Sequence, residues 1–208
     1  MGLRTAVTQG YFYHRRARVL SDMIAKRLPG NSCVLDVGCG DGFITRQIQE
    51  KGTNIDIQGT DVLVRPRAYL PVKPFNGRTL PYADESFDAV ILVDVLHHTH
   101  DPAGLLREAV RVSRCLVILK DHTLKGAFAR PTLLYLDWVG NAPHGVSIPA
   151  NYWPERRWKQ TFDRLNLTVT DWTDDLPVFP WWSSWLFGRA LNFMACLEKP
   201  RERLWDKD

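Results

Sequence analysis

The sequence predicts an α/β protein: a mostly parallel sheet with helices on both faces. Two observations predict it. Through the first 120 residues, short β-type runs alternate with helically spaced segments in the order α-β-α-β-(α)-β-α-β, which implies parallel strands joined by crossovers. A glycine-rich turn at residues 38–42 stands between a predicted strand and a predicted helix, where such sheets hold ligands.

The elements follow in order. Residues 11–28 carry Val19, Leu20, Met23, Ile24 and Leu28 at helical spacing and stop at Pro29-Gly30. Residues 33–37 read as a short buried strand, and residues 43–51 as a helix stopped by Gly52. Residues 55–60 alternate like a strand ending at Asp61. Pro66, Pro71 and Pro74 leave room for at most a short helix in residues 62–75. Residues 87–95 form a β-type run, residues 102–112 a helix with proline in its first turn, and residues 116–120 another buried strand. Beyond these, residues 124–139 and 154–165 read as helices, and residues 167–172 and 191–198 as strands. Residues 141–154 form a loop rich in proline and glycine.

Length and charge narrow the function. The chain has 208 residues, 45% of them apolar, and a net charge of +4. That fits a single globular domain and is too mild to demand a nucleic-acid partner. Cys33, Cys39, Cys115 and Cys196 lie singly, with no CxxC pair for zinc, and three of them sit in apolar runs that read as buried reduced thiols. The amino-terminal stretch has no apolar signal region, and no apolar run is long enough to span a bilayer. The expectation is a soluble, cytoplasmic protein of unassigned oligomeric state.

The turn reads VLDVGCGDG. Its glycines, 38, 40 and 42, permit a sharp turn and close approach to a ligand, beside the free N–H groups of the next helix. Position 43 is Phe, so the dinucleotide fingerprint is incomplete. Asp61 ends the next strand, 21 residues beyond Gly40, where an acid meets the ribose hydroxyls of an adenosine.

VLDVGCGDG, Asp61 and LPYADESFDAVILVDVLHH together resemble the class I S-adenosylmethionine-dependent methyltransferases, in particular those of ubiquinone and menaquinone biosynthesis, over roughly residues 10–120. The resemblance implies a Rossmann-like, seven-stranded sheet whose last strand is antiparallel, and S-adenosylmethionine as cofactor. It implies that Asp36, Gly38, Cys39 and Gly40 surround the methionine part, and that Asp61 holds the ribose while Val62 packs on adenine. Asn76 and Gly77 stand where relatives carry Asp-Ala, with the Asn76 side-chain oxygen able to accept from the adenine amino group. Asp94 and Val95 line the sulfonium side.

The remaining candidates concern the acceptor. His97, His98 and His100 follow the fourth predicted strand, and Asp121 and His122 the fifth, at the ligand-binding edge. His122 and His98 are the candidate bases, with backbone hydrogen bonding as the plainer reading of His97 and His98. No metal is expected: the three histidines lack i, i+4 spacing, and adjacent side chains diverge on an extended segment. Arg15, Arg16 and Arg18 read as a solvated helix face. Tyr11, Asp137, Asn141, His144 and Tyr152 are candidate substrate contacts. Residues 124–153 and 176–187 form a cap on a single domain spanning 1–208. Phe179, Trp181, Trp182 and Trp185 make the second of these a pocket wall, a packing element or a weak membrane-surface contact.

The expected function is methyl transfer to a small, hydrophobic or lipid-like acceptor. The alternatives are a methyltransferase of nucleic acid or protein, against which no NPPY-type motif follows the fourth strand, and a catalytically silent cofactor-binding protein.

Overall fold

The computed structural model describes residues 3–141, 149–181 and 190–200, with side chains described over 10–138, 149–181 and 190–200. Its strands are β1 (Cys33–Val37), β2 (Asp56–Asp61), β3 (Val72–Pro74), β4 (Phe87–Val93), β5 (Ser113–His122), β6 (Thr168–Thr173) and β7 (Asn192–Glu198). Its helices are α1 (Leu3–Ala25), α2 (Phe43–Lys51), α3 (Pro102–Val112), α4 (Ala129–Asn141) and α5 (Glu155–Arg164). The strands form one sheet in the order β3-β2-β1-β4-β5-β7-β6. Neighbours from β3 through β5 pair in parallel, and β7 runs antiparallel to both β5 and β6.

Alternation along the strands builds two apolar layers. Leu35, Val37, Val90 and Leu92 face α3 and α5, where Leu105, Leu106, Trp158 and Phe162 are buried. Val34, Ala89 and Ile91 face the other way, against Leu20 and Ile24 of α1 and Ile48 of α2. Both layers are built of buried apolar side chains, so the sheet is a rigid platform and the polar groups gather at its edges. Among the described residues, no helix is long and apolar enough to cross a membrane.

The bounds of α2 and α3 match the sequence reading; Asp101 caps α3 by accepting from the Gly104 N–H at 2.9 Å, and Pro102 opens the helix. Elsewhere the structure corrects it. The seventh strand is β3, where no strand was expected. It is three residues long and contains Pro74, which an edge position tolerates. β4 stops at Val93 because Asp94 takes a left-handed φ of 56°. β5 runs on through Asp121 and His122, which are strand residues rather than loop residues. α4 begins only at Ala129. Of the cysteines, Cys196 alone is buried, and Cys115 is exposed.

Candidate functional site

The carboxyl ends of β1, β2 and β4 converge on the glycine turn. Gly38, Gly40 and Gly42 all have positive φ, from 63° to 78°. The turn is held down by Gly38 and Cys39, whose N–H groups both donate to the Thr60 carbonyl at 2.7 and 3.2 Å. Gly38 is irreplaceable on space as well as φ: a Cβ there would stand 2.5 Å from Val95 Cγ2. Asp61 accepts from the Gly40 N–H at 2.8 Å and, through its other oxygen, from the Leu63 N–H at 2.9 Å. Each oxygen keeps a lone pair for a further donor. Below the turn, Asp36 is 3% exposed and accepts from the Thr45 hydroxyl at 2.6 Å. Burial pushes its carboxyl up from 3.8 to about 7. Burial also pushes up the Cys39 thiol, which is therefore not a thiolate.

At the other end of this cradle Val62 is exposed and lies against Gly77, where an added Cβ would be 3.2 Å from Val62 Cγ1. The structure thus brings the Asp61-Val62 and Asn76-Gly77 pairs together. The Asn76 side-chain oxygen already accepts from the N–H groups of Arg78 and Thr79, at 2.9 and 2.8 Å. Its two lone pairs are used locally, which corrects the reading of this oxygen as an acceptor for an adenine amino group.

Helix α1 lies over the turn. The Tyr13 hydroxyl donates to Asp41 at 3.1 Å, and its ring stacks on Phe43 at 5.3 Å. Tyr11, a candidate substrate contact in the sequence, is exposed and meets Phe12 edge-on. Arg16 is not on a solvated face: it forms an ion pair with Asp94. Asp94 also binds the ammonium of Lys120, which is 2% exposed and donates to Asn192 at 2.7 Å. Burial opposes the charge on Asp94, but Lys120 and Arg16 outweigh it and hold the carboxyl well below the ordinary range. This triad, unsuspected in the sequence and buried at Lys120, stands between the glycine turn and the end of β5.

Beyond this triad lies a second polar cluster. His97 is 1% exposed, with Nδ1 against Asp121 at 2.6 Å. Asp121 also accepts from the N–H groups of Leu96 and His122, at 3.0 and 2.7 Å. Burial works against a charged His97, yet Asp121 overcomes it and raises the imidazole above its usual value. Asp137 of α4 stands 3.5 Å from His97 Nε2 and takes the hydroxyl of buried Tyr152. Asn151 ties its segment to this cluster, with its N–H donating to the His97 carbonyl at 3.0 Å and its side chain to the Thr99 carbonyl at 2.6 Å.

The two candidate bases fare differently from expectation. His122 is buried, and burial together with Lys120 drives its imidazole down to about 3. A base that weak contributes little at neutral pH, so the base reading of His122 is corrected. Burial also lowers His98. His97, set aside in the sequence as structural, has the stronger electrostatic support. The adjacent histidines do not diverge either, because Leu96–His98 is a 3-10 turn, not extended chain, and their ring centroids are 3.9 Å apart. His144, the Asn141 side chain, Trp182 and Trp185 lie outside the described residues. A cavity of about 890 Å³ opens at the opposite edge of the sheet, lined by Arg27, Arg114, Leu165 and Lys199. Its cations are paired, with Asp171, Asp88 and Glu85 respectively for Arg27, Arg114 and Lys199, and none of the groups described above reaches it.

Comparison with known proteins agrees with this geometry. Residues 35–115 match the methyltransferase domain family. An uncharacterized methyltransferase of Mycobacterium sp. (strain JLS) is 34% identical over 123 residues, covering 55% of this chain and 48% of that one. The demethylmenaquinone methyltransferase of Corynebacterium efficiens is 31% identical over 109 residues, covering 51% and 45%. The chain spans about half the length of the curated relatives it matches. Among solved structures, a chain from the complex of the Haloferax volcanii Trm112 methyltransferase activator superposes with a TM-score of 0.65 at 16% identity, over 93% of this chain and 95% of that one. The cyclase SpnF superposes at 0.62 and 17% identity, over 87% and 80%, so the fold by itself does not decide the reaction. The left-handed glycine turn, the Asp61 carboxylate beside it and the buried Asp36 fit the family's cofactor, S-adenosylmethionine. Residues 35–115 thus resemble the methyltransferase domain family, and the sheet has the fold of solved S-adenosylmethionine-dependent methyltransferases.

Proposed function

We propose that the protein transfers a methyl group to a small acceptor with an apolar body and a polar head. The observation that carries this reading is the placement of two unlike half-sites on one sheet edge. One is the glycine turn with Asp61. The other is the polar cluster of His97, His98, Asp137 and Tyr152, next to the apolar group Ala129, Leu133 and Leu191. A few polar groups beside an apolar wall suit a molecule that must be oriented as well as buried. The names of the quinone-modifying relatives point the same way.

When bound, S-adenosylmethionine supplies a methyl already activated by its sulfonium. The protein's own part is then mainly positioning. Asp61 and the N–H groups of the turn hold the nucleoside end, and Asp36 lies beneath the methionine end. Asp94, fixed by Arg16 and Lys120, keeps a permanent negative charge between the two half-sites. The cluster around His97 and Asp137 holds the acceptor's head, and Asn151 and Tyr152 tie their segment to it.

The test is isotope-labelled methyl transfer by the full chain against hydroxylated aromatic, isoprenoid and acyl-bearing acceptors, with an RNA and a protein extract alongside. Label in an apolar small molecule supports the reading. Label only in RNA or protein overturns it.

A further inference from the structure

We propose that His97, His98 and Asp137 bind one divalent transition-metal ion. The inference goes beyond methyl transfer and does not rest on it.

Three features of the chain lead there. The 3-10 turn at Leu96–His98 brings two consecutive imidazoles together. Asp121 occupies His97 Nδ1, which leaves Nε2 as the outward atom. His97 Nε2 and His98 Nδ1 are both buried and find no hydrogen-bond partner among the described residues. A buried, unpartnered ring nitrogen is costly unless something else satisfies it.

Asp137 of α4 completes the set. Its Oδ2 is 3.5 Å from His97 Nε2, and one donor atom from each of His97, His98 and Asp137 lies within 4.8 Å of the others. Ligands at about 2.0–2.1 Å around a tetrahedral ion stand about 3.3 Å apart, so the first pair is already at coordination spacing and the third needs a modest side-chain shift. Two of the ligands also carry the outer partners that metal sites use. Asp121 orients His97, and the Tyr152 hydroxyl donates to Asp137. His122 Nε2, 3.9 Å from the other Asp137 oxygen, stands beside a remaining position.

Two imidazoles and one carboxylate with open positions suit zinc, iron(II) or cobalt(II), not magnesium or calcium, which prefer oxygen ligands. Positions left open by three protein ligands would admit an oxygen of a bound molecule.

The test uses the full chain, stripped with a chelator and titrated with Zn²⁺ by calorimetry and with Co²⁺ by absorption spectroscopy. The expected result is one ion per chain, visible Co²⁺ bands of four- or five-coordinate character, and no competition from Mg²⁺. His98→Ala and Asp137→Asn should each weaken binding about 100-fold or more, while His100→Ala, on an exposed residue, should leave it unchanged. Circular dichroism melts confirm that each variant is folded, and His98→Ala is the safer one because His98 is only half-buried. Zn²⁺ affinity unchanged in folded His98→Ala and Asp137→Asn overturns the proposal. So does a thiolate-to-cobalt band, which would place the ion on a cysteine.

Discussion

Asp36→Asn should change how stability depends on pH. Asp36 is buried under the glycine turn, and its one strong partner is the Thr45 hydroxyl. Burial raises its carboxyl from 3.8 to about 7, with Asp61 adding to the rise and Thr45 opposing it. The folded state therefore holds a proton that the unfolded chain gives up. Its contribution is fully present below about pH 4 and is lost as pH climbs through 7. The difference of about 3 pH units corresponds to roughly 4 kcal/mol as an upper bound, at about 1.4 kcal/mol per unit. Asparagine keeps the shape and the acceptor for Thr45 but cannot ionise. The wild type minus variant difference in unfolding free energy, from urea melts at pH 4.5, 6 and 8, should swing by several kcal/mol in favour of the variant as pH rises. Parallel stability curves across that range would refute the reasoning.

Three further outcomes follow from the same geometry. Lys120→Met strips Asp94 of its buried partner while Arg16 stays paired with it, and should lower stability by about 1–3 kcal/mol in urea. Trp158→Ala empties a fully buried site packed against Phe162 and Phe193, and frees the His122 carbonyl that its Nε1 donates to at 3.1 Å; the expected loss is about 3–5 kcal/mol by the same melts. Gly38→Ala drives a Cβ into Val95 at a φ of 74°, so calorimetry should show cofactor affinity falling along with thermal stability.

Much of the fold was legible because its signals are local. Alternating runs mark the parallel strands, and Gly52, Asp101 and Pro102 mark helix ends within a residue. β3 was not legible, because three residues with a proline carry no periodicity, and only pairing with β2 makes them a strand. The proposed cofactor half-site comes from one continuous stretch plus Asp61, which the structure brings together. His98, Asp137 and Tyr152 of the second half-site were named from the sequence, but the Asp94 triad beside it was not legible, since it depends on contacts across the chain: Arg16 to Asp94 spans 78 residues, and Lys120 to Asn192 spans 72. No periodicity in α1 distinguishes Arg16 from its exposed neighbour Arg18. The divergence expected of His97 and His98 assumed extended chain, and a 3-10 turn reverses it. The sequence shows Asp121 beside His122, but that carboxylate is committed to His97 and to backbone N–H groups.

The central claim is that the glycine turn and Asp61 hold S-adenosylmethionine. Calorimetric titration of S-adenosylhomocysteine into wild type and Asp61→Ala tests it most directly. The account predicts saturable binding by the wild type, at one molecule per chain, and a loss of about tenfold or more in the folded variant, since charge-assisted hydrogen bonds are removed. Absence of binding to the wild type, or equal affinity in a folded Asp61→Ala protein, would contradict it.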